Sequence, residues 1–165
     1  MILRSLLSIF IFLLAYACIK SPRVACEYTF VSNTAKGSVN GISFQMQDGF
    51  ESVEKHGVFN YYKIDLIEDE VADSNCEGKI VDTLTRLNIH TPINEGLYET
   101  AKGADIAVKL MHTDSNYLAD CAAISIDEIS DTTISGKVYA HFEGDYEING
   151  TFFIRICRNK RKGPL

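Results

Sequence analysis

Five cysteines are the first residues in this chain able to do chemistry: Cys18, Cys26, Cys76, Cys121 and Cys157. None stands in a C-x-x-C pair, so zinc-ribbon and dithiol redox chemistry have no ligand spacing to use. An odd count in an exported chain calls for one cysteine with a role of its own. With Cys18 set aside, Cys26, Cys76, Cys121 and Cys157 can form two disulfides in three connectivities. Topology favours Cys26–Cys157 with Cys76–Cys121. Cys26 precedes the first strand and Cys157 ends the last, and antiparallel neighbours would bring both to one end. Each bridge is expected to add about 2–4 kcal/mol by restricting the unfolded chain.

Catalytic groups are harder to assemble. The histidines are His56, His90, His112 and His141, with no H-E-x-x-H among them and no G-x-S-x-G elbow in the chain. His90 and His112 fall on different predicted strands, so solvent-facing or structural roles are expected. Glycoside cleavage would need two carboxyl groups ~5–10 Å apart across a cleft, and linear spacing does not give that distance. Asp65, Glu68, Asp69, Glu70, Asp73 and Glu77 crowd one region, but without the EF-hand order that calcium loops use. A solvated loop is the expected outcome, with no catalytic residue, no metal and no cofactor assigned. Arg155, Arg158, Lys160, Arg161 and Lys162 make a basic end that reads as a solubilising tail or as a contact for anionic headgroups. Asn149-Gly150-Thr151 spells an N-glycosylation sequon, but inside a predicted strand.

The chain start is an address. Met1–Ser5 carries Arg4, Leu6–Leu14 is apolar apart from Ser8, and Ala15 and Ala17 precede Cys18. That is the order of a secretory signal. The apolar run is about ten residues, against the ~20 a membrane-spanning helix needs. Leu14-Ala15-Tyr16-Ala17-Cys18 resembles a bacterial lipobox, with Ala15 where the motif favours Leu. It also suits ordinary signal-peptidase cleavage after Ala17. Cys18 is read as the lipid-bearing mature N-terminus.

The elements that must position any site are strands. Ile42, Phe44 and Met46 alternate with Ser43 and Gln45, and Asn40-Gly41 breaks the run early. Tyr62, Ile64 and Leu66 alternate with Tyr61, Lys63 and Asp65 over Phe59–Ile67. A short strand is expected at Phe50–Lys55, and others near Thr85–Thr91, Leu97–Thr100, Ile106–His112 and Cys121–Ile129. Asp114-Ser115-Asn116 reads as a turn. The clearest unit is a C-terminal hairpin. Ile134, Gly136, Val138, Ala140 and Phe142 alternate up to Glu143-Gly144-Asp145, and Tyr146, Ile148, Gly150, Phe152, Ile154 and Ile156 continue on the way back. No helical period appears after the leader. The expected fold is all-β, an antiparallel β-sandwich or flattened barrel, after an N-terminal signal segment. The expected divisions are a signal peptide at 1–17, a lipid anchor and tether at 18–36, a β-domain at 37–157 and a basic tail at 158–165.

The layout resembles a family of small, mostly uncharacterised lipoproteins of Bacteroidota-type bacteria. The resemblance is carried by Ala17-Cys18, Gly37-Ser38-Val39-Asn40-Gly41-Ile42-Ser43-Phe44, Gly96-Leu97-Tyr98, Ile124-Ser125-Ile126, Ile134-Ser135-Gly136-Lys137-Val138, Ile148-Asn149-Gly150-Thr151-Phe152 and Arg155-Ile156-Cys157. It implies an antiparallel β-sandwich on a lipid tether and supplies no catalytic residues.

Composition bounds the partners. The 165-residue chain is 46% hydrophobic and 23% charged, which fits one globular domain. Its net charge of −6 gives no general attraction to nucleic acid. The expected function is that of a lipoprotein on the bacterial outer membrane, periplasmic or surface-exposed, serving as a non-catalytic binding or adaptor module. Its expected partners are the membrane, through the lipid, and a protein or glycan of the envelope. A lipocalin-like carrier is the alternative, with a cavity between Phe44, Tyr62, Val138 and Phe152, and an envelope hydrolase ranks below it.

Overall fold

The computed structural model describes residues 26–56, 59–70, 85–113 and 115–156. The signal segment 1–17, Cys18, Cys76, Cys157 and the basic residues 158–165 lie outside the described residues. So do the 18–25 part of the proposed tether, Asp73 and Glu77.

The described residues form eleven strands: β1 (Lys36–Val39), β2 (Ile42–Gln45), β3 (Asp48–His56), β4 (Phe59–Ile67), β5 (Arg86–Pro92), β6 (Gly96–Glu99), β7 (Ala107–His112), β8 (Ser115–Leu118), β9 (Cys121–Ile129), β10 (Thr133–Phe142) and β11 (Tyr146–Ile156). A single 3-10 turn, Thr100–Lys102, follows β6. The all-β expectation is met. The strands form one sheet in the order β6-β9-β10-β11-β3-β4-β5-β7-β8, with β1 and β2 added beside β11. The sheet curls into an open half-barrel, so both of its flanks pack on one interior. Every strand pair is antiparallel except β11 with β3, which run parallel at Arg155↔Phe50 and Ile156↔Glu51.

Alternation decides which side chains enter the interior. Ile64 and Leu66 from β4, Leu87 and Ile89 from β5, Val108 and Leu110 from β7, Ile124 and Ile126 from β9, and Val138 and Phe142 from β10 form one apolar cluster. The hairpins follow local chemistry. Asn40 and Gly41 both have positive φ, 50° and 81°, so this Asn-Gly pair closes the two-residue hairpin between β1 and β2 rather than bulging a single strand. Ser115 and Asn116, expected in a turn, instead open the short edge strand β8, which pairs Met111↔Asn116 and His112↔Ser115.

Residues 26–35 do more than lead in. They cross the outer face of β9, β10 and β11 as a strap. Cys26 is disulfide-bonded to Cys121, with their Cα atoms 5.9 Å apart. Tyr28 stacks on Tyr139, and Cys26, Tyr28 and Phe30 pack on a small second apolar cluster of Cys121, Ala123 and Tyr139. Asn149 then clamps the strap, accepting from Val31 N at 3.2 Å and donating from Nδ2 to Thr29 O at 2.9 Å. That double bond occupies the Asn149 amide and explains its presence in a strand better than a glycan does.

The preferred pairing of Cys26 with Cys157 and of Cys76 with Cys121 is therefore corrected: Cys26 bonds Cys121. The antiparallel premise was sound, since β1 does run antiparallel to β11. The chain before β1, however, doubles back. It descends from Cys121 to a parallel bridge, Thr34↔Thr151, and only then turns up into β1. Cys121 lies opposite His141, which pairs with Glu147. Ile156 lies nine residues further along β11, roughly 30 Å at strand spacing. Cys26 and the end of β11 are thus at opposite poles.

Candidate functional site

Two irregularities in the pleat meet on the outer face of β9, β10 and β11. The first is a bulge. Glu128 pairs with Ser135 and Ile126 with Gly136, which leaves Asp127 as an extra residue on β9. Such bulges redirect a side chain. Ser125 Oγ donates to Asp127 Oδ1 at 2.5 Å, and Lys137 Nζ stands 3.5 Å from Asp127 Oδ2. Gly136 makes the close approach possible, because a Cβ there would lie 2.1 Å from Ser125 O and 2.8 Å from the Phe152 ring.

The second irregularity is a change of partner. Along its free edge β11 meets β1 at Ile148 and Asn149, then Thr34 at Thr151, and only at Arg155 joins β3. Ala35 N donates to Thr151 O at 2.9 Å and Thr151 N to Asn33 O at 2.7 Å, so the handover is hydrogen-bonded on the strap side. Arg155 closes the other side with an ion pair to Asp48 Oδ2 at 2.6 Å. Gly150, with φ of 150°, allows the crossing, since a Cβ there would sit 2.5 Å from the Ala35 backbone.

Between these two features lies an open cleft of about 470 Å³. Met46, Gly136 and Phe152 belong to its apolar lining, and Thr34, Gln47, Asp127, Ser135 and Thr151 to its polar lining. Phe153 stands on its rim at 64% exposure, the most exposed large apolar side chain among the described residues. Its cross-strand partner is the small Ser135, which leaves the ring uncovered. Sequence alternation assigned Phe152 to the core and left the aromatic beside it unexamined. An apolar residue on the polar phase of a strand was the signal for Phe153, and the step from Ile126 to Ile129 was the signal for the bulge.

A second open cleft, of about 690 Å³, lies near the β10–β11 turn, where Lys36 meets Glu68, Asp145 and Glu147. Glu68 Oε1 accepts from Gln45 N at 3.2 Å, while Asp145 and Glu147 are exposed.

His90, His112 and His141 do not converge, and the His56 side chain lies outside the described residues. Strand alternation puts His90 on the outer face with Asn88, and His112 on the core face with Leu110, where its Nδ1 shares a 2.7 Å hydrogen bond with Thr85 Oγ1. His141 is on the outer face of β10, 3.7 Å from Asp145. Of the acidic region, Asp65 and Glu68 have separate partners. Asp65 is buried on the outer face, accepts from Asn88 Nδ2 at 2.8 Å and has Arg86 Nε at 3.9 Å. Among the described residues no three His, Cys, Asp or Glu side chains gather as a metal site.

Beside the strap, Glu99 is held below the ordinary carboxylate range by Lys102 and by a hydrogen bond from Tyr28. Burial, reinforced by Glu99, pushes the Tyr28 phenol up to about 12.

No family model, no curated protein and no solved structure matches this chain.

Proposed function

We propose that this chain is a lipoprotein of the bacterial cell envelope, anchored through Cys18, whose β-domain is a non-catalytic binding module. The observation that carries the reading is the Cys26–Cys121 disulfide. Disulfides persist in oxidising compartments, which agrees with the signal-like leader. Cys18, at the lipobox-like junction, then has a separate use. It lies eight residues before Cys26, a span of about 28 Å at full extension. A lipid on Cys18 would hold the Cys121 pole of the domain near the bilayer. The Phe153 cleft, six residues along β11 from Glu147 and roughly 20 Å away, would face outward.

Phe44, Tyr62, Val138 and Phe152 are all buried in one continuous apolar cluster, which favours a binding surface over an enclosed carrier cavity. The separation of His90 and His112 on opposite faces supports a non-catalytic role. Metabolic labelling with a radioactive fatty acid tests the anchor. Label is expected on the wild type and not on Cys18→Ser; equal labelling of the two would overturn it.

A further inference from the structure

We infer that the cleft beneath Phe153 is a saccharide-binding site. The inference deepens the binding-module reading and rests on the domain being a binding module, but not on the lipid anchor.

The chemistry of the cleft selects the ligand. A sugar ring offers an apolar face of C–H groups and a rim of hydroxyls that both donate and accept. Phe153 offers an uncovered aromatic face, electron-rich toward C–H groups. Around it stand the matching polar groups: Asp127 as a charged acceptor, the Gln47 amide as donor and acceptor, and the hydroxyls of Thr34, Ser135 and Thr151. Asp127 is positioned by the bulge rather than by regular pleating, and its bonds to Ser125 and Lys137 fix its carboxylate without exhausting its lone pairs. Thr151 is held by Asn33 O, 3.3 Å from its Oγ1. The site is therefore largely pre-organised.

Other ligand classes fit less well. Among the described residues no Lys or Arg lines the cleft, and Lys137 beside it is paired with Asp127, so a phosphate or carboxylate would meet the Asp127 carboxylate without an unpaired cation to offset it. The cleft is open and polar groups make up about half of its lining, so an acyl chain would bury only part of itself against apolar surface. A neutral oligosaccharide meets both conditions, with one ring on Phe153 and its hydroxyls toward Asp127.

Saturation-transfer NMR on the full exported protein in detergent tests this, with cellotetraose, maltotetraose and chitotetraose as probes at millimolar concentration. At least one is expected to receive saturation on the C–H protons of one ring face. Phe153→Ala should weaken that probe about tenfold or more, and Phe153→Tyr should retain it. Leu118→Ala, at an exposed leucine on β8, should leave it unchanged. An unchanged β-type circular-dichroism spectrum and an unchanged urea midpoint in each variant show that the fold survives. The site is overturned if no probe binds the wild type, if Phe153→Ala binds as well as wild type, or if a photo-crosslinker at position 153 captures a protein instead and no probe competes with it. Failure here leaves the fatty-acid result untouched, and loss of the fatty-acid label leaves sugar binding untouched, so the two readings fall separately.

Discussion

Tyr28 lies over Tyr139 with ring centroids 5.7 Å apart and planes 27° from parallel. Ala123, the neighbour of Tyr139 on β9, leaves the room for it, and Glu99, the next residue in that row on β6, takes the phenol hydrogen bond. The strap is thereby a packed part of the domain rather than a loose leader. It holds one side of the Phe153 cleft through Thr34 and Thr151.

The Cys26–Cys121 bridge closes a separation of 95 residues. Chain-entropy reasoning puts its contribution at about 4.7 kcal/mol. Cys26→Ser/Cys121→Ser should lower the urea midpoint by a corresponding amount, and peptide mapping without reduction should recover Cys26 linked to Cys121. A linked Cys26–Cys157 peptide would contradict the fold described.

Stability should depend on pH through the strap. Because folding raises the Tyr28 pKa from 10.0 to about 12, its contribution is complete below pH 10 and is lost as pH rises toward 12. Folding lowers the Glu99 pKa, so the Glu99 contribution is present above the ordinary carboxylate value and is lost in acid. Tyr28→Phe should flatten the alkaline limb of a stability-against-pH curve measured by chemical denaturation. An unchanged limb would show that folding does not raise the Tyr28 pKa.

Gly136→Ala should destabilise by about 3 kcal/mol, because the new methyl meets the Ser125 carbonyl and the Phe152 ring at the bulge. A thermal melt reads the effect directly. A neutral result would mean that β9 and β10 pair without the bulge at Asp127.

Thr91 is fully buried on the core face, and among the described residues its Oγ1 has no hydrogen-bond partner. Thr91→Val keeps the shape and removes the buried hydroxyl, so it should stabilise by about 1 kcal/mol. A loss of that size in denaturation would show that the hydroxyl is satisfied.

The strands and the core were legible because alternation is a property of local sequence: the C-terminal hairpin and Phe59–Ile67 fall where the pattern puts them. The strap was not, since Cys26, Tyr28 and Phe30 alternate over only five residues, and they and Ala35 gain their burial from residues about a hundred positions away. The disulfide was missed because its partner depends on the chain reversing at Ser32-Asn33-Thr34, a cluster that reads locally as a tether and gives no direction. The cleft depends on a one-residue register shift at Asp127 and on the order in which β1 and β3 meet β11. The first leaves a local trace in the step from Ile126 to Ile129, whereas the second is a long-range pairing.

The central claim is an exported domain, hung from Cys18 and locked through Cys26. Intact-mass spectrometry of the protein purified from membranes, before and after reduction, tests it most directly. The account predicts a chain that begins at Cys18, carries acyl mass on that residue and gains mass on reduction as Cys26 and Cys121 take up hydrogen. A product that still begins at Met1, or one with no acyl mass and no change on reduction, would contradict it.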